Sequence, residues 1–113
     1  MIILHNKKIL ADKVRYYDTY LRKIKGLRFS SKLKDNEALI LENKKKGKIR
    51  LDMLFVFFPI DAIWLDEHKK VVEIKRNIKP FTILVTPKKL ANYVIEIKAG
   101  ASSSIQVSDY LLF

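Results

Sequence analysis

Hydrophobic positions along this chain fall into short runs, with little long-range periodicity. Ile2-Ile3-Leu4 opens as a strand, and Lys7-Lys8-Ile9-Leu10 follows as a second extended piece. Tyr17, Leu21 and Ile24 then recur at i, i+4 and i+7, the spacing of an apolar helix face. Asp18 stands where an N-cap accepts from orphan N–H groups, and Gly26 where a C′ residue turns left-handed. Arg22, Lys23 and Lys25 fill the last turn, where cations complement the helix dipole. These features predict a short helix from Thr19 to Lys25.

After Gly26 the pattern becomes that of strands. Ala38–Leu41 is an apolar run, and Lys44–Lys48 reads as a solvated hairpin loop. On the return strand Ile49, Leu51, Met53 and Phe55 alternate with Arg50 and Asp52, and from Leu54 both faces are apolar, as in a strand covered on each side. Pro59 has no N–H to give a ladder, so it marks a bulge or a strand boundary. Ile60–Asp66 and Lys70–Arg76 form a hairpin around Glu67-His68-Lys69, and Phe81–Val85 makes a further strand. Thr86-Pro87 opens one helical turn, and Tyr93–Lys98 and Ile105–Leu112 end the chain as strands. The expected fold is a single α+β, mostly β domain over residues 1–113. It is either a small antiparallel barrel or two packed sheets, with one short N-terminal helix.

Composition narrows the function classes. A chain of 113 residues, 49% hydrophobic, has material for one core and excludes wholesale disorder. The absence of Cys excludes disulfides, thiol catalysis and thiolate metal sites, and suits a reducing compartment. Met1-Ile2-Ile3-Leu4 is too short for a signal-peptide core, and no apolar run reaches the ~18 residues of a membrane span. The expectation is a soluble, cytoplasmic, single-domain protein with no membrane partner. Lys and Ile are both abundant, 18 and 14 residues, which fits a thermophile or an AT-rich genome.

The net charge of +11 is concentrated in residues 1–50, which carry +10. A basic half joined to a nearly neutral one suggests an acidic partner such as nucleic acid, or a Lys-rich solvated surface. Arg15-Tyr16-Tyr17, Tyr20 and Arg22-Lys23 interleave cations with aromatics, and Lys44, Lys45, Lys46 and Lys48 add a basic loop. Arg22, Lys23 and these four lysines are the candidate nucleic-acid contacts, gripping phosphates while rings stack bases.

A family pattern runs through the same residues. Asp18-Thr19, Arg22 and Gly26-Leu27-Arg28-Phe29, then Phe58-Pro59-Ile60-Asp61 and Leu65-Asp66, then Val71-Val72-Glu73-Ile74, occur in order. Ala91–Gly100 and Asp109 complete the series. This co-linear set, from Asp18 to the C-terminus, resembles the domain of unknown function 192 family. The resemblance implies a compact β-rich domain with an early helix and implies no established activity. The chain departs from the family at Met53-Leu54-Phe55-Val56, Ala38-Leu39 and Ser108, where polar or glycine positions are replaced while packing positions remain.

Among candidate chemical groups Asp61 comes first, being the only charge in Met53–Leu65. A carboxylate there is costly to bury unless it is hydrogen-bonded. It is either a staple accepting backbone N–H groups or the anchor of a ligand groove lined by Met53, Phe55 and Trp64. Asp66-Glu67-His68 and His5 lack metal-ligand spacing, Ser102-Ser103-Ser104 lacks a nucleophile elbow, and the glycines at 26, 47 and 100 form no phosphate cradle. No cofactor or metal is called for. The reading is a small non-catalytic binding or accessory domain. Its alternatives are non-specific nucleic-acid binding through the basic half and a hydrolase-like enzyme using Asp61.

Overall fold

In the computed structural model, which describes residues 1–113 apart from the side chains of Tyr20, Leu21 and Ile24, nine elements follow one another. They are β1 (Ile3–His5), β2 (Lys8–Ala11), β3 (Lys13–Tyr17), α1 (Tyr20–Lys25), β4 (Glu37–Gly47), β5 (Ile60–Leu65), β6 (Val71–Ile78), β7 (Ala91–Lys98) and β8 (Leu111–Leu112). A five-stranded sheet has the order β3-β4-β7-β5-β6, and a three-stranded sheet the order β2-β1-β8. Only β3 and β4 pair in parallel. The fold is mostly β, and of the two architectures expected it takes the two-sheet one. Neither sheet closes into a barrel.

The large sheet is covered on both faces, which is why β5 is buried at all six positions. On one face Ile40, Ile63, Leu65, Ile95 and Ile97 meet Ile3, Ala11 and Leu111 of the small sheet. On the other, Leu39, Leu41, Ala62, Trp64 and Val94 lie under Leu27, Leu33, Ile49, Leu51 and Met53. Each fully buried aliphatic side chain contributes roughly 1.5–3 kcal/mol. A polar group on β5 therefore has no cheap route to water.

Several local expectations are corrected. The N-terminal helix amounts to the six residues of α1, little more than one turn, and forms no layer of the fold. Its N-cap is Thr19, whose Oγ1 accepts from the Arg22 N–H at 3.4 Å, not Asp18. Tyr17 belongs to β3, so it cannot share a helix face, and the side chains of Leu21 and Ile24 lie outside the described residues. Gly26 does end the helix at φ 48°, but with ψ −127°, outside the αL well.

Lys44–Gly47 is the end of β4, where a hairpin loop was expected. After a bulge this end pairs with β7 through Gly47 and Ala91, so the following segment has no ladder to join. Residues 48–59 instead cross the sheet as irregular chain, held by a bridge between Leu51 and Val85 at 2.7 and 2.9 Å. Phe81–Val85 and Ile105–Tyr110 are likewise irregular, and Thr86-Pro87 opens no helical turn. Their apolar spacing comes from packing onto the sheet, as with buried Val85 and Ile105. Pro59 does mark a strand boundary, immediately before β5. Among the described residues no helix is long and apolar enough to cross a membrane.

Candidate functional site

Asp61 lies on the β5 face turned toward the small sheet, fully buried, and its carboxylate is saturated with donors. Oδ1 accepts from the Asn77 N–H at 2.9 Å, opposite the point where the β5–β6 register slips. Oδ2 accepts from the Gly100 and Ser102 N–H groups at 3.0 and 3.2 Å and from Ser102 Oγ at 2.6 Å. Ser102 Oγ accepts in turn from Arg76 Nε at 3.1 Å. Asn77 has φ 53° and Gly100 φ 94°, so the carboxylate pins two left-handed backbone positions. This is a staple between β5, β6 and the turn after β7, with both carboxylate oxygens hydrogen-bonded.

The opposite face of the same sheet behaves otherwise. Glu96 of β7 sits beside Ala62 of β5 and Leu39 of β4, directly under the irregular segment 48–56. It is 5% exposed, and among the described residues its Oε2 has no hydrogen-bond partner. Burial pushes its carboxyl up to about 7, with Arg15 drawing it down and Asp52 pushing it further up. A group poised near neutrality and short of a partner is a common mark of a functional position.

Glu96 lines the floor of a cleft of about 480 Å³, within the usual range for small-molecule sites. Leu41 completes the floor, while the turn after α1 and residues 48–52 form the walls. The rim is cationic: Lys23, Lys25, Arg28, Lys48 and Arg50 line it, against Asp52. Arg28 Nη2 donates to both oxygens of Asp52 at 2.6 and 2.7 Å. Lys23 Nζ donates to Asn43 Oδ1 at 2.7 Å and to the Glu42 carbonyl at 3.1 Å. Lys25, Lys48 and Arg50 have no ion pair among the described residues, so their charge remains available to a visitor.

The expected groove of Asp61, Met53, Phe55 and Trp64 does not form. Strand residues three apart point to opposite faces, so Asp61 and Trp64 are separated by the sheet itself. Trp64 is core, its Nε1 donating to the Ile49 carbonyl at 2.8 Å. Met53 belongs to the crossing segment and is buried in the core with Trp64, while Phe55 of the same segment is exposed. Of the candidate phosphate contacts, Lys23 and Lys48 reach the cleft, Lys44, Lys45 and Lys46 are exposed at the end of β4, and Arg22 is exposed on α1. His5 Nε2 donates to Asp109 Oδ2 at 2.8 Å, tying β1 to the approach to β8. His68 lies 3.6 Å from Glu67 on the surface. Among the described residues no three His, Asp or Glu groups converge. Sequence reading missed Glu96, because Asn92 on the same strand face makes that face read as half-exposed, unlike the unbroken apolar stretch around Asp61.

Comparison with known proteins gives the chain its place. The model of the domain of unknown function 192 family, described as uncharacterized ACR, matches residues 1–111, and the chain belongs to that family. The UPF0127 protein of Thermococcus kodakarensis is 33% identical, over 96% of this chain and 69% of its own. That of Thermococcus gammatolerans is 33% identical, over 96% and 71%. The crystal structure of a protein of unknown function from Novosphingobium aromaticivorans superposes with TM-score 0.89 at 20% identity, covering 99% of this chain and 82% of that one. At that identity the likeness is one of fold.

Proposed function

We propose that this member of the domain of unknown function 192 family is a small non-catalytic binding domain whose cleft takes a small anionic molecule carrying a hydrogen-bond donor. The observation behind this reading is the buried Glu96 carboxyl, with one oxygen unpartnered, at the floor of a cleft rimmed by Lys25, Lys48 and Arg50. An unmet buried acceptor costs roughly 1–3 kcal/mol, and an N–H or O–H of a ligand would recover that cost. The rim cations raise the local concentration of anions and orient them, so the anionic end lies outward and the donor end inward. Lys23 and Arg28 are already engaged, and they hold the walls in place.

A thermal-shift screen of inorganic phosphate, short dicarboxylates, hydroxy acids and mononucleotides tests the reading. A ligand at about a hundred times its Kd adds roughly 2.7 kcal/mol of stability. The expected result is stabilisation by one class, lost when Lys48 and Arg50 are both changed to Glu. Stabilisation by none of them, or a gain that survives the double variant, contradicts it. A second reading, non-specific nucleic-acid binding, draws support from exposed Lys44, Lys45 and Lys46 adjoining Lys48 at the rim. It requires affinity for a fluorescent oligonucleotide to fall by ~10³-fold or more between about 50 and 200 mM salt.

A further inference from the structure

Away from the cleft floor, three connections bring their aromatic residues together on the outside of the molecule. Phe29 and Phe55 stack with ring centroids 4.7 Å apart, Phe55 and Phe81 meet edge-on at 6.5 Å, and Phe57 and Phe81 at 5.1 Å. These rings are not core. Phe29 is 71% exposed and Phe57 60%, and neither they nor Phe55 and Phe81 line the cleft. Ile83 and Leu84 on the same connection as Phe81 are 79% and 62% exposed, and Leu54 beside Phe55 is also exposed.

The backbone is shaped to present them. Phe29, Phe55 and Phe81 have φ of 56°, 58° and 61°, a left-handed conformation that bulky residues avoid. Each is fixed from behind: the Phe29 N–H donates to the Phe55 carbonyl at 2.9 Å, and the Phe81 N–H to the Met53 carbonyl at 3.0 Å. Met53 N–H donates to the Thr82 carbonyl at 2.7 Å, locking the second and third connections together. A cluster of this size on a small protein marks an interaction surface.

Charge selects the partner. The three connections that carry the cluster, residues 26–36, 48–59 and 79–90, hold eight Lys and Arg against two acids, Asp52 paired with Arg28 and Asp35 paired with Lys98. A second copy of the chain would set one +11 molecule against another. A nucleic acid would use the rings, but Phe29 and Phe55 already stack on each other, and Ile83, Leu84 and Leu54 offer bases no stacking face. Hydrocarbon accepts aromatic and aliphatic side chains alike, and an anionic headgroup layer meets the surrounding cations. We infer that the Phe29–Phe55–Phe57–Phe81 cluster, with Ile83 and Leu84, is a docking surface for an anionic lipid membrane. The side chains enter the headgroup–acyl boundary while residues such as Lys32 and Lys79 contact the lipid phosphates.

Co-sedimentation of the full chain with lipid vesicles tests this. Binding is expected to phosphatidylcholine vesicles containing about 30% phosphatidylglycerol, and to be much weaker with phosphatidylcholine alone. Changing Phe57 and Ile83 together to Ser, exposed positions whose loss leaves the core intact, should weaken binding by at least about tenfold. Changing Lys32 and Lys79 to Glu should weaken it by a further salt-dependent step, with the melting temperature of both variants near that of the parent. No sedimentation with the anionic vesicles would overturn the proposal. So would sedimentation that the Phe57/Ile83 variant retains, or a stable dimer in light scattering that the same variant breaks.

Discussion

On the two faces of one sheet, within one residue of register, two carboxylates are buried under opposite conditions. Asp61 pairs across from Ile97 and Glu96 across from Ala62, so the acids sit on adjacent strands and point to opposite sides. Asp61 meets three backbone N–H groups and a hydroxyl. Glu96 meets a cleft, keeps an unpartnered oxygen, and has its carboxyl pushed up to about 7. Burial alone therefore does not mark a site. What separates the two is whether the fold itself supplies the donors. One face is a finished core between two sheets, while the other is roofed by irregular chain that leaves a space of about 480 Å³ above the acid.

Substitutions at the two acids should act in opposite directions. Asp61→Ala removes every acceptor from four donors in a sealed place, and the expected loss is roughly 3–5 kcal/mol in urea unfolding. A loss below about 1 kcal/mol would break the contrast. Glu96→Gln should instead stabilise the protein at alkaline pH. The folded group binds its proton more tightly than the unfolded one, whose value is the ordinary 4.5. The stability linked to this acid is complete below pH 4.5 and is lost as the pH rises to about 7, by roughly 3 kcal/mol. The variant should show a flatter stability profile across that window and exceed the parent by up to roughly 3 kcal/mol at pH 8, with little difference at pH 4. Equal slopes for the two proteins would mean that Glu96 is solvated or partnered. The smallest effect is expected from Ser102→Ala, which removes one donor from Asp61 and one acceptor from Arg76 at a cost of roughly 1–2 kcal/mol.

Much of this contrast was legible in the sequence, but unevenly. Asp61 stood out because Met53–Leu65 holds no other charge, and its role as a staple follows from the cost of leaving it bare. Its separation from Trp64 also follows from the two-residue period of a strand. Glu96 was hidden by the same period. With Tyr93, Ile95 and Ile97 on one face, a strand with Asn92 and Glu96 flanking Val94 on the other reads as half-exposed. Only the crossing of residues 48–56 above that face buries Glu96, and the crossing depends on β4 pairing with β7, where its sequence neighbour had been expected. The outward rings were hidden similarly, because Phe55 and Phe81 fit the alternation of strands that do not form. Non-local pairing decided both cases, and local pattern carries no information on it.

The most direct measurement is a carboxyl carbon NMR titration of Glu96 in the full chain. A midpoint near 7 is predicted, because burial outweighs the downward pull of Arg15 and no protein donor meets Oε2. A midpoint near the ordinary 4.5 would mean that water or another side chain already satisfies the carboxylate, and would contradict the cleft as a site awaiting a ligand.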